Sequence, residues 1–299
     1  MPRHIRRDNA AISSLVGFVA LVIVILIALG IYYALLPRPP AAPLRAEEGD
    51  EVLVNYIGTF EGTDLVFDTT LLSVAVDNVS FPKAVSFYGQ PIGSAWKEDW
   101  GGALFGIGSG TTSPRAVPGF ENGLLGMAKG ESRTIVVIPE DGYGPMDAQK
   151  LVVRQLLEPV PVRERMDATE FRSRYGLFPA SGENVSDPIW GWPVTVSVAG
   201  DVVTVANSPA PGQIVRPYDA WDATVVSLDD AANGGEGLIL VEHNLDPTMT
   251  DRVGAKYVGE SFYLWQVDLA GGTFTLNWNS QVIGRTLTFR VELIQIIRQ

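Results

Sequence analysis

Apolar positions follow three rhythms along this chain. Between Leu15 and Leu36 every residue is apolar or glycine, with no charge. At about 1.5 Å per residue such a run makes a helix roughly 33 Å long, enough to cross the hydrocarbon core of a bilayer. Its apolarity on all sides separates it from a surface helix. Tyr32 and Tyr33 stand at its far end, where aromatic rings favour a membrane interface. The second rhythm has period two: Val52, Val54 and Tyr56 alternate with Leu53, Asn55 and Ile57, and Leu287, Phe289, Val291 and Leu293 alternate with Thr288, Arg290 and Glu292. Both stretches predict strands with a buried face. The third is helical, with Phe120, Leu124 and Met127 on one face of a short helix that Gly130 stops.

Other segments fill in the order. "FDTT" (67–70) follows a turn at Glu61-Gly62, and an apolar strand runs from Ser132 to Pro139. After it, "EDGYGP" sets Tyr143 between two glycines and ahead of a proline, a combination that reads first as a turn. Further on, Asp167 caps a helix with Glu170 at its third position and Gly176 as its stop. "WGWPVTVSVAGDVVTVANSP" predicts a hairpin turning at Gly200-Asp201, and "LILVEHNL" and "SFYLWQVDLAGGTFTLNW" add strands. "DVVTVANSPAPGQ" and "GTFTLNWNSQVIGR" are faintly alike, the mark of a duplicated unit.

Composition narrows the chemistry. The net charge of -12 and pI near 4.6 exclude the basic face that nucleic-acid binding requires. The chain has no cysteine, so disulfides, thiolate metal sites and cysteine nucleophiles are absent. His4 and His243 are too far apart for an HExxH site, and neither a metal site nor a cofactor is expected. Arg3, Arg6 and Arg7 precede the apolar run, while Arg38 and Arg45 follow it beside Glu47, Glu48 and Asp50. That bias places the N-terminus in the cytoplasm and the body outside a cell membrane. A secretory signal peptide is the competing reading; against it, the run exceeds the usual ~7–15 residues and no small-x-small site precedes Pro37. The segment also resembles an archaeal pilin-type leader, which would leave the helix attached.

Taken in order, the strand with Tyr56, "FD", "VPGFENGLLGMAKGE", "IPEDGYG" and the closing "GRTLTFRVELIQI" resemble the FKBP-type peptidyl-prolyl cis-trans isomerases. The resemblance covers residues 47–145 and 279–297. It implies an α+β fold, an antiparallel sheet curling around one short helix. By resemblance, Tyr56, Phe67, Phe120 and Phe289 line a proline pocket with Phe120 as floor, and Asp68 faces the twisting carbonyl or its side-chain neighbours. The Val117 N–H and the Tyr143 hydroxyl are the expected donors to substrate, and Phe105 and Ala116 are further candidates for substrate binding. Two departures stand out. About thirty extra residues, with Trp96 and Trp100, separate "FDTT" from "ALFGIGSG", and roughly 130 residues separate the Tyr143 turn from the closing strand. An insert at that place resembles the SlyD-like branch, where it serves as a chaperone module.

The expected organisation is a cytoplasmic tail (1–14), a transmembrane helix (15–36), a Pro-rich linker (37–46), a first FKBP-like part (47–145), a β-rich insert (146–276) and the closing part (277–299). The expected partners are proline-containing unfolded polypeptides and the lipid bilayer. Trp190, Trp192, Trp221, Phe262, Tyr263 and Trp265 are candidates for the insert's contact surface, or alternatively for its own core. Three functions are open at this level: a membrane-anchored isomerase with a client-binding insert, a chaperone or binding protein of the same fold with weak turnover, and a surface structural protein.

Overall fold

The computed structural model describes residues 8–36, 42–88 and 100–298. Arg3, Arg6, Arg7, Arg38, His4, Trp96 and most of the Pro-rich spacer lie outside them. The chain divides into two units, Met1–Pro43 and Leu44–Gln299. In the first, helix α1 spans Asp8–Leu35, and its segment Val16–Leu35 has a mean hydropathy of 2.8. It is long and apolar enough to cross a membrane, a test that a signal sequence also passes.

The second unit opens with β1 (Glu51–Phe60), β2 (Val66–Thr69), a short helix α2 (Leu72–Val76), β3 (Ala103–Gly106), α3 (Pro118–Leu124) and β4 (Ser132–Val137). The chain then runs outward through β5 (Leu151–Gln155), β6 (Leu157–Val160) and β7 (Arg163–Met166). Helix α4 (Ala168–Tyr175), β8 (Asn184–Ser186), β9 (Pro193–Ala199) and β10 (Val202–Asn207) follow. It continues through β11 (Ile214–Val215), β12 (Ala223–Asp229), β13 (Leu238–His243), β14 (Gly254–Tyr257), β15 (Glu260–Asp268) and β16 (Thr273–Asn277) to β17 (Leu287–Ile297).

The first sheet has the order β2-β1-β17-β4, with β3 also paired to β1, all antiparallel. Its core joins Val52, Val54, Phe60, Ile135, Val137, Leu287, Val291 and Leu293 to Phe120 and Leu124 of α3. These are the period-two positions, so alternation fixes which face is buried. Helix α3 is shorter than its apolar spacing predicts. It ends at Leu124, and Gly126, at φ 76°, turns the chain before the buried Met127. The stop is therefore four residues ahead of Gly130, since a left-handed residue ends the helical ladder wherever it occurs. Helix α4 keeps its expected ends: Asp167 accepts from the N–H groups of Thr169 and Glu170, and Gly176 is left-handed.

Residues 151–277 form three four-stranded sheets of identical connectivity: β5-β16-β15-β14, β6-β13-β12-β11 and β7-β10-β9-β8. In each, the first strand pairs with the last of a three-strand meander. The sheets are nested, because each lies inside the sequence interval of the one before. The two faintly alike segments cover β10 and β16, which hold equivalent places. Each meander opens on the same type of turn, closed by Glu183 N–H to Ala180 O, Gln213 N–H to Ala210 O and Arg252 N–H to Met249 O.

Two inner sheets share one core containing Val160, Phe171, Trp192, Val196, Val205 and Val241. The outer sheet packs around Trp221, Phe262, Leu264 and Phe274. Five of the six aromatics considered as contact surface (Trp190, Trp192, Trp221, Phe262 and Tyr263) are buried, and the first four of these belong to the two cores. Among them, Trp221 donates to His243 Nδ1 at 2.9 Å, while His243 Nε2 lies 3.1 Å from Glu158. At the junction with the first sheet, Arg285 pairs with Asp251 at 2.5 Å and stacks over Phe60 and Trp265.

Candidate active site

One cavity of about 380 Å³ is lined by Tyr56, Phe67, Asp68, Phe105, Arg115, Ala116, Val117, Phe120, Tyr143 and Phe289. All nine residues singled out in the sequence are brought together here. Strand β1 supplies Tyr56, β2 supplies Phe67 and Asp68, β17 supplies Phe289, and α3 supplies Phe120. The rings meet edge to face: Phe120 lies 4.8 Å from Phe289, 5.7 Å from Tyr56 and 5.5 Å from Phe105. Phe289 is 5.5 Å from Phe67. Such pairs add to the burial of each ring, and they hold the concave wall in one shape.

The polar groups are few and fixed. Tyr56 donates its hydroxyl to Asp68 Oδ2 at 2.5 Å, and Asp68 Oδ1 also accepts the Thr69 N–H. Burial first, and the Asp68 charge second, push the Tyr56 phenol far above its ordinary value. Val117 is the N-cap of α3 with extended backbone, and its N–H has no partner among the described residues. Its loop is anchored from behind, since Glu51 accepts from the Thr112 N–H and hydroxyl and from the Ser113 N–H.

Tyr143 occupies the rim, half exposed. Residues Pro139–Asp141 make one 3-10 turn, and Gly144 then takes φ 84°, a conformation that glycine adopts without Cβ strain. The Gly144 N–H bonds to Pro139 O and its carbonyl accepts from Gly284, both at 2.8 Å. The turn is thus tied on two sides, and "EDGYGP" holds a phenol at the pocket mouth. Burial, and then the Asp68 charge, raise the Tyr143 pKa, so its hydroxyl stays a donor at neutral pH. Tyr143→Phe is expected to reduce kcat/KM on a proline peptide about 2- to 13-fold, the value of one hydrogen bond of ~0.5–1.5 kcal/mol. Its thermal unfolding should match wild type. Unchanged kinetics would leave the stretch as a turn and nothing more.

Sequence reasoning missed Arg115. Its guanidinium bonds Glu121 with two contacts, 3.0 and 2.9 Å, and Glu121 also accepts the Gly108 N–H. Glu121 is only 5% exposed and occupies the first turn of α3. A charged residue on the buried side of an apolar helix face was the signal, since a buried carboxylate requires a partner. No cluster of His, Cys, Asp or Glu able to hold a metal occurs among the described residues.

A family model for FKBP-type peptidyl-prolyl cis-trans isomerases matches residues 42–157. A short-type peptidyl-prolyl cis-trans isomerase of Methanocaldococcus jannaschii is 31% identical over 131 residues, covering 44% of this chain and 67% of that protein. An FK506-binding protein 2 of Yarrowia lipolytica is 29% identical over 114 residues, 38% of this chain and 58% of its own length.

Proposed function

Because this chain belongs to the FKBP-type peptidyl-prolyl cis-trans isomerases, we propose that it works as a membrane-anchored isomerase on extracytoplasmic polypeptides, its insert engaging unfolded clients. The observation that carries the catalytic part is the aromatic cavity with Tyr143 at its rim. Rotation about an X–Pro bond faces a barrier of ~18–20 kcal/mol set by amide resonance. Lowering it takes no nucleophile or cofactor, only surroundings that fit the twisted amide better than the planar one. Here Phe67, Phe120 and Phe289 enclose the proline ring and exclude water, which weakens solvation of the charge-separated planar form. The Val117 N–H and the Tyr143 hydroxyl hold the substrate carbonyls on either side of the ring. Asp68, fixed by Tyr56, faces the amide as it turns.

Membrane attachment rests on the helix Val16–Leu35, and the outward orientation on the arginines before it. The placing of the insert between Tyr143 and β17 supports the SlyD-like reading, in which a client held beside the pocket presents its prolines at high effective concentration. The test is exchange of an X–Pro peptide by the protein from about residue 46 onward. A rate clearly above background and undiminished by EDTA is expected. A folded sample without acceleration would leave a binding protein of this fold.

A further inference from the structure

The proline pocket is bordered by further cavities. A neighbouring cavity of about 280 Å³ shares Phe67, Asp68 and Tyr143 with it and is also lined by Tyr88, Ser86 and Ser280. Those two serines also border a third cavity of about 520 Å³, larger than the proline pocket. Its walls come from segments far apart in sequence: Val85 and Ser86 after α2, the β14–β15 hairpin, and Trp278 after β16. The Phe262 and Trp278 rings lie 4.6 Å apart on one side, and Val85, 41% exposed, stands on the other.

The walls are fixed against each other. A Cβ on Gly254 of β14 would fall 2.3 Å from Val85 Cγ1, so the two segments touch as closely as a glycine permits. Gln281 accepts both the Ser86 N–H and its hydroxyl at 2.9 Å, and in turn donates to the Asp251 carbonyl. Lys256 and Ser261 give the mouth a polar edge.

We propose that this third cavity is a second subsite of the isomerase, which takes a large apolar side chain of the same polypeptide whose proline occupies the first. The inference rests on the isomerase reading and deepens its client-binding part. Adjacency names the occupant: three cavities that border one another in series, through shared lining residues, lie along the course of one extended chain, which advances about 3.3 Å per residue. An aromatic wall with a polar edge is the lining that suits an apolar side chain of a peptide whose backbone stays wet. A second anchor raises binding of the flanking sequence without altering the chemistry at proline.

The experiment uses the full chain in detergent micelles. Its substrates are a tetrapeptide with X–Pro and a set of longer peptides with the same X–Pro, in which one tryptophan is walked outward in either direction against a serine background. One or two tryptophan positions should raise kcat/KM at least fivefold over the serine peptide. Ser261→Trp, which fills the cavity from its exposed edge, should abolish that gain, the tetrapeptide rate reporting an intact proline pocket. If no tryptophan position helps, or if the gain survives Ser261→Trp, the subsite is overturned while the isomerase reading stands. Failure of wild type on the tetrapeptide itself overturns both.

Discussion

Phe120→Ala is expected to lower kcat/KM on an X–Pro peptide roughly a hundredfold, about 2.7 kcal/mol of transition-state stabilisation, and to destabilise the fold by about 3–5 kcal/mol. Both effects have one cause. Phe120 is 3% exposed and its ring touches Tyr56, Phe105 and Phe289, so its removal opens a void that three neighbours can fill only by tilting. The pocket then loses its floor and admits water to the amide, which restores solvation of the planar form. Phe120→Leu keeps most of the volume and separates the two effects. It should recover much of the stability, read from urea midpoints, while activity stays well below wild type. If Phe120→Ala loses stability but keeps kcat/KM, the ring belongs to the core alone and the floor of the pocket lies elsewhere.

Replacing residues 151–277 by Asn-Gly should leave tetrapeptide turnover within about threefold of wild type, but reduce acceleration of a proline-limited refolding reaction at least tenfold. The cut is geometrically mild. The Trp278 N–H already bonds to Lys150 O at 2.9 Å, the closure of a two-residue turn, and Leu151 faces Asn277 across the β5–β16 ladder. Asp147 and Asn279, which bond each other beside the Tyr143 turn, are kept. Arg285 loses Asp251 but remains stacked over Phe60 and becomes solvated, so the cost falls on stability more than on the pocket. Near-UV circular dichroism checks the fold. Equal losses on both substrates would make the insert a structural support of the active site and overturn the proposed client binding.

What the sequence disclosed follows from the range of each interaction. Strands β1 and β17, the cap of α4 at Asp167 and the hairpin at Gly200 depend on neighbours a few residues away, and their periods and turn residues are readable. The pocket aromatics were found through resemblance, because only the register of β17 between β1 and β4 brings Phe289 to Tyr56. Arg115 escaped because its bond to Glu121 depends on how α3 is turned. The end of α3 was misplaced because Gly126 and Gly130 look equally able to stop a helix, and packing of Met127 into the core chose the first. Most of the large insert aromatics gave no clue to their side, since a tryptophan suits a core and a contact surface equally. The nesting of three sheets is wholly long-range, and a faint likeness between β10 and β16 was its single trace.

Nesting also dictates an order of events as the chain leaves the ribosome. β17 lies in the middle of the catalytic sheet, yet it is made after the other described strands. Until then β1 and β4 have no common neighbour, and the candidate pocket lacks the wall that Phe289 provides. The innermost sheet, β7 to β10, is complete first, and each outer sheet can then close across a loop already compacted by the one inside it. Loop-closure entropy grows with the length of free chain, so a folded interior shortens the search that β17 must make for β4. The nascent protein is thus expected to assemble its insert from the innermost sheet outward, and a chain stalled before β17 would display the insert with an incomplete first sheet beside it.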